Sequence, residues 1–158
     1  MSQTDNFEDL RDLYQEVILD HGRKPRHAKR LETFDATAKG DNPMCGDRVQ
    51  VWLKLDADSI GQVGFEARGC AISVASADLM AETVQGRATT DTRALFEAFR
   101  TMARTGACPD CAPALADPME RLAPLAGVHE YPSRVKCATL PWHALIAALD
   151  GAQEASSE

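Results

Sequence analysis

The sequence predicts an α+β domain, a small antiparallel three-stranded sheet with helices packed on one face. Two features of its pattern predict this. Period-two alternation runs from Phe34 to Ala67, and helical periodicity both precedes it and returns after Cys70 to persist to the end. With 158 residues, 44% of them hydrophobic and 26% charged, the chain has the size and balance of one domain with its own core. That excludes a disordered tail or a fibrous repeat.

Each element follows in order. Phe7, Leu10, Leu13, Tyr14, Val17 and Ile18 recur at helical spacing, with Asp5 or Asn6 to cap the first turn and His21-Gly22 to end the helix. Arg23, Lys24, Arg26, His27, Lys29 and Arg30 then surround Pro25 in a basic connector. This segment reads either as a solvated loop beyond a helix C-terminus or as a docking segment for an acidic partner. Phe34, Ala36 and Ala38 predict the first strand, Val49, Val51, Leu53 and Leu55 the second, and Val63, Phe65 and Ala67 the third. Asp56 to Gly61 supplies the hairpin turn between the last two.

Ile72, Ala75, Leu79 and Met80 predict a helix ending near Gln85-Gly86, and Leu95, Phe96, Phe99 and Met102 predict the next. Gly106 to Pro118 predicts an irregular insertion, followed by a short helical piece around Met119, Leu122 and Leu125. Arg134 to Cys137 reads as an extended approach to a last helix, with Thr139 as N-cap and Pro141 in its first turn. Residues 1–150 are expected to form a single domain and residues 151–158 a polar tail.

Seventeen Lys and Arg against 24 Asp and Glu leave a formal charge of −7, which argues against a general nucleic-acid binder. The polar, acidic start does not read as a signal peptide, and no apolar run reaches membrane-spanning length, so a cytoplasmic protein without a membrane partner is expected. In such a reducing compartment, five cysteines point to ligands or reactive thiols rather than to a disulfide framework.

Cys45 sits in the turn-rich Asp41 to Arg48, where Gly46 permits a sharp bend that turns Cys45 and Asp47 toward one site. Cys70 follows Gly69 at the end of the third strand and precedes a helix, whose dipole favours a thiolate. Cys137 is expected just before the last helix. If Cys45, Asp47, Cys70 and Cys137 meet, three sulfurs and one oxygen suit tetrahedral zinc and could equally hold iron in a cluster. With a divalent ion such a set carries a net charge of about −2, which Arg48, Arg68, Arg134 and Lys136 are placed to offset. Spacing alone leaves three buried, inert cysteines as the other reading.

Three motifs resolve that choice through resemblance. Asn42-Pro43-Met44-Cys45-Gly46-Asp47-Arg48, the stretch Phe65 to Ala77 around Gly69-Cys70, and Arg134-Val135-Lys136-Cys137-Ala138-Thr139-Leu140-Pro141-Trp142 resemble the iron-sulfur cluster assembly family that includes IscU, NifU and SufU. The opening Leu13-Tyr14, Asp20-His21 and Pro25-Arg26 also fit, so the likeness extends to about Leu149. It implies the SufE/IscU-like fold. IscU-like scaffolds carry a histidine directly before the third cysteine, whereas Lys136 stands here, and the long stretch before Cys137 is similar to SufU-like members.

The SufU-like resemblance implies a zinc-dependent sulfurtransferase with Cys45, Asp47, Cys70 and Cys137 as ligands. Its sulfur would come from a PLP-dependent cysteine desulfurase of the SufS type and pass to downstream SUF cluster-assembly machinery. It further implies that a partner histidine replaces Cys45 on the metal and frees it as acceptor nucleophile, with Arg134 in support. The alternative within the family is a scaffold on which an Fe-S cluster is assembled and handed on.

Cys108-Pro109-Asp110-Cys111 lies outside the motifs and reads as a second metal half-site, a redox dithiol, an onward sulfur recipient, or incidental surface thiols. The four histidines, His21, His27, His129 and His143, lack mutual metal spacing and are expected at the surface or in packing. Trp52 and Trp142 are expected to pack.

Overall fold

The structure is a computed structural model that describes residues 14–156. Residues 14–23 form the described part of the opening helix, α1; the expected cap at Asp5 or Asn6 and the apolar positions Phe7, Leu10 and Leu13 lie outside the described residues. Three antiparallel strands follow: β1 (Ala36–Asn42), β2 (Asp47–Asp56) and β3 (Ser59–Arg68). Then come α2 (Ala71–Val84), α3 (Thr89–Thr105), α4 (Ala116–Leu122) and α5 (Pro132–Leu149), with 3-10 turns at Pro113–Leu115 and Ala123–Glu130, and finally β4 (Glu154–Ser156).

The sheet corrects the expected one in two respects. It has four strands in the order β3-β2-β1-β4, and it is mixed, because β4 runs parallel to β1. The expected polar tail therefore begins with an edge strand. Gly151, at φ 77°, turns the chain back after α5, and Lys39 N–H bonds Gln153 O at 2.9 Å, so main-chain groups on the outer edge of β1 gain partners. Phe34 lies outside β1 and is exposed.

Alternation decides what each face of the sheet meets. Val49, Val51, Leu53, Val63 and Phe65 join Met80, Leu95, Phe99, Leu140, Trp142 and Leu145 in the main core under α2, α3 and α5. α5 lies across β1 and β2, while α2 packs on β3 and on α5. α3 runs antiparallel to α5: Arg93 pairs with Asp150 at 2.7 Å, and Phe99 stacks on Trp142 with centroids 4.8 Å apart. On the other face the connector covers Trp52. Leu31 is buried, Arg30 stands 5.5 Å from the Trp52 ring, and a Cβ on Gly64 would lie 3.0 Å from Leu31 Cγ.

A buried carboxylate anchors that connector. Asp78 of α2 is fully buried and accepts the backbone N–H groups of Arg26 and His27, both at 2.8 Å, while its other oxygen meets His21 Nδ1 at 2.5 Å. Arg26 also pairs with Asp20 at the exposed end of α1, and this contact holds the Asp20 carboxyl below its usual range. The connector is thus not a free loop but a strap with a fixed path.

The last helix also differs from expectation. Arg134 to Cys137 is helical, and α5 starts at Pro132, whose fixed φ suits a first helical position and whose missing N–H costs nothing there. Thr139 does not cap; its hydroxyl bonds back to Val135 O at 3.0 Å. Pro141 sits inside the helix and cannot donate to the carbonyl of Cys137 four residues earlier. No helix among the described residues is long and apolar enough to cross a membrane.

Candidate metal centre

Three structural devices bring the predicted residues together at one end of the sheet. The β1–β2 hairpin closes between Asn42 and Asp47, with Cys45 N–H and Gly46 N–H both bonded to Asn42 O at 3.2 and 2.9 Å. Gly46 adopts φ 72°, which lets the loop fold tightly enough to turn Cys45 inward. β3 then delivers Cys70 to the N-cap of α2. The second turn of α5 contributes Cys137, whose thiol donates to Ser133 O at 3.6 Å.

The ligand atoms of Cys45, Asp47 and Cys137 all lie within 4.8 Å of one another. Cys70 stands outside that closest group but beside it. Its backbone N–H donates to Asp47 Oδ1 at 2.8 Å, and its thiol approaches Asp47 Oδ2 at 3.8 Å. Asp47 and Cys137 are fully buried, whereas Cys45 and Cys70 are partly exposed. Asn42 was not singled out from sequence, yet its side-chain amide lies 3.9 Å from Cys137 Sγ. Its place in the Asn42-Pro43 start of the first motif is the signal that could have found it.

Burial, reinforced by contacts with Asp47, Cys45 and Cys70, pushes the Cys137 thiol far above its ordinary range. The Arg134 guanidinium, hydrogen-bonded to Cys137 and close to Cys70, is held above its own usual value. Arg134 thus stands where the expected charge compensation is needed. Arg48 and Arg68 do not: alternation along β2 turns Arg48 to the face opposite buried Asp47, where it stands across from Arg68.

The donor set fits a thiophilic cation. Asp47 is a fully buried carboxylate with no salt-bridge partner among the described residues, a situation costly unless positive charge enters. Ligands of a tetrahedral zinc stand about 3.8 Å apart for sulfur pairs, and Cys45, Asp47 and Cys137 already hold their ligand atoms within 4.8 Å of one another. The same thiols would suit an iron-sulfur cluster.

Two outcomes test this geometry. In metal-free, unreduced protein, iodoacetamide is expected to label Cys45 and Cys70 and to spare Cys137 until the fold opens, read by peptide mass; equal labelling of all three would contradict the burial of Cys137. Gly69 adopts φ 131°, and a Cβ there would fall on the Asp47 side chain, 2.8 Å from its Cα. Gly69→Ala is therefore expected to cost about 1–3 kcal/mol in backbone strain alone and to weaken metal retention, measurable by melting and metal content.

Cys108 and Cys111 are joined in a disulfide in the insertion, which departs from the reading as incidental free thiols and is the oxidised form of the redox-dithiol reading. His21 serves Asp78, His129 Nδ1 bonds Ala126 O at 2.8 Å, and the His143 ring packs edge-on against Phe96. Trp142 is buried in the core, as expected.

Comparisons with known proteins show the family and the fold. Residues 13–138 match the model of the NifU-like N-terminal domain. The chain is 37% identical over 133 residues to a zinc-dependent sulfurtransferase SufU of Bacillus subtilis, covering 84% of this chain and 86% of that one. It is 35% identical over 136 residues to an iron-sulfur cluster assembly scaffold protein IscU of Streptococcus pyogenes, covering 86% and 82%. Among solved structures, a SUF-system cluster assembly scaffold protein of Fervidobacterium islandicum superposes with a TM-score of 0.76 at 31% identity, over 85% of this chain and 94% of the other.

Proposed function

The chain belongs to the NifU-like N-terminal domain family of iron-sulfur cluster assembly proteins, and on that premise we propose that it is a zinc-dependent sulfurtransferase served by a cysteine desulfurase of the SufS type. The observation that carries this is the asymmetry of exposure: Cys45 is reachable from solvent, while Asp47 and Cys137 beside it are fully buried. Within the closest group Cys45 is open to act as a nucleophile while Cys137 stays buried; Cys70, also partly exposed, is tied to Asp47 through its backbone N–H.

Cys45, Asp47, Cys70 and Cys137 would hold the zinc, which when bound supplies positive charge that keeps thiols ionised without redox chemistry of its own. The chain's residues do the rest. The Cys45 thiolate attacks the outer sulfur of a persulfide on the desulfurase; a new S–S bond forms as the old one breaks, and the donor cysteine leaves as a thiolate. Cys45 then bears the persulfide, with no net change in oxidation level. Arg134 balances negative charge at the rim. The family affiliation with the B. subtilis sulfurtransferase and Lys136 in place of the scaffold-type histidine both support this choice.

A second reading, a scaffold for cluster assembly, is favoured by the scaffold names of other relatives and by a donor set that equally suits iron. Desulfurase turnover and metal content separate the two. Anaerobically purified protein is expected to hold one zinc per chain and to accelerate alanine formation from cysteine by a SufS-type desulfurase. Iron with acid-labile sulfide, and no acceleration, would support the scaffold.

A further inference from the structure

Neither the metal centre nor the sulfur-acceptor chemistry uses the C-x-x-C pair of the insertion. Cys108 and Cys111 are bonded to each other and partly exposed, and Ala107, Pro109, Asp110 and Ala112 around them are open to solvent. A thiol reagent can therefore reach the bond. The turn does not depend on it, because Cys111 N–H also bonds Cys108 O at 3.3 Å. As a staple the bond does little: its ends are 3 residues apart in sequence, and a disulfide constrains the unfolded chain least when its loop is shortest. Two thiols that can close and reopen a disulfide without moving the chain have the form of an exchange couple.

The helices decide where this couple stands. α3 runs antiparallel to α5, with Arg93 near its start paired to Asp150 just past the end of α5, and Phe99 stacked on Trp142. Equal steps from that stack, toward the end of α3 and the start of α5, bring Thr105 level with Lys136, the neighbour of Cys137. Gly106 then turns the chain out of α3 at φ 89°, and the pair follows directly. Along the α5 axis the disulfide is thus at the end that carries Cys137 and, in the same ligand group, Cys45. The other end of α3 lies about 25 Å away.

We propose that Cys108 and Cys111 are a second reactive site of this chain, a dithiol that reduces the sulfur carried by Cys45 and releases it as sulfide, the disulfide in the structure being its oxidised form. This rests on the reading of Cys45 as sulfur acceptor and adds the fate of the sulfur. One thiolate of the pair attacks the outer sulfur on Cys45, and the Cys45 thiolate leaves. The second thiolate attacks the inner sulfur of the persulfide so formed; the Cys108–Cys111 bond closes and hydrosulfide is expelled. The two thiols lose one electron each, the transferred sulfur gains two, and the thiol protons end on the departing sulfurs. An external dithiol, oxidised to its own disulfide, reopens the pair for the next round.

The test compares wild type, Cys108→Ser/Cys111→Ser and Cys45→Ala, each reduced, freed of reductant and kept anaerobic while a SufS-type desulfurase turns over cysteine. Alanine, free sulfide and peptide mass are followed together. In wild type the first equivalent of alanine per chain is expected to bring an equivalent of sulfide and the loss of two hydrogens from the peptide holding Cys108 and Cys111. Persulfide should build on Cys45 only afterwards. The double serine variant is expected to hold persulfide on Cys45 from the first turnover and to release at least about 10-fold less sulfide. Wild type kept oxidised should do the same without any substitution, and Cys45→Ala should leave the pair reduced.

Reduced and oxidised wild type that load Cys45 alike, with no early sulfide, would overturn the reducing site while leaving the acceptor intact. A pair that oxidises in Cys45→Ala as fast as in wild type would overturn the route through Cys45. No persulfide on Cys45 in either oxidised wild type or the serine variant would instead remove the acceptor reading on which the proposal rests.

Discussion

Cys45→Ala is expected to reduce sulfur loading from the desulfurase by more than about 10³-fold, because the variant lacks the attacking thiolate rather than merely a contact. The fold should survive. Cys45 lies in a hairpin loop with partial exposure, and the loop is held by main-chain bonds from Cys45 and Gly46 to Asn42 O that do not need its side chain. On the proposed ligand set, Asp47, Cys70 and Cys137 would remain to hold a metal, with reduced affinity. Loss of loading in a folded, partly metallated variant separates a nucleophile from a purely structural ligand. If Cys45→Ala kept wild-type loading, the sulfur would have to be accepted elsewhere.

The largest effect on stability is expected at Asp78, far from any thiol. Asp78→Ala strips partners from the Arg26 and His27 amides and from His21 at once, in a place where the carboxylate itself is fully buried. A loss of about 3–5 kcal/mol follows from leaving buried donors unsatisfied, lowering Tm by roughly 10 °C. Asp78→Asn should cost less, since its remaining carbonyl oxygen can still accept from the two amides. The damage should reach the metal site too: α1 packs through Gly22 against Ala71, where an added Cβ would find Ala71 Cβ at 3.0 Å, and Ala71 follows Cys70. A change below about 1 kcal/mol in thermal or urea unfolding would show that the strap is held by other contacts.

What the sequence revealed and concealed follows from the range of the forces involved. β2 and β3 were legible because ten-residue strands with one buried face print a period of two that local helices cannot imitate. β4 printed nothing: Gln153-Glu154-Ala155-Ser156 has no alternating apolar set, and its pairing comes from unpaired backbone on β1, more than a hundred residues earlier. The start of α5 misled for the opposite reason. Arg134-Val135-Lys136-Cys137 alternates like a strand over four residues, too short a window to tell the two periods apart, and Pro132 was the helix signal that outweighed it.

At the site, the three motifs singled out Cys45, Asp47, Cys70 and Cys137, and the structure places Cys45, Asp47 and Cys137 together with Cys70 beside Asp47. Their unequal exposure was not legible, because it depends on α5 burying Cys137 while the hairpin leaves Cys45 at the rim. Arg48 and Arg68 were misassigned as charge compensation because sequence proximity was taken for spatial proximity; strand alternation sends them to the other face. Asp78 was invisible for a related reason, since an acid within a helical pattern reads as solvated until a strap from a distant segment closes over it.

The most direct test of the central reading is the peptide mass map of the zinc-loaded chain after anaerobic turnover of cysteine by the desulfurase. One additional sulfur on the peptide containing Cys45, removed by cyanide as thiocyanate, with Cys70 and Cys137 unmodified, is the expected result. Sulfur absent from Cys45, with iron and acid-labile sulfide bound to the chain instead, would contradict it.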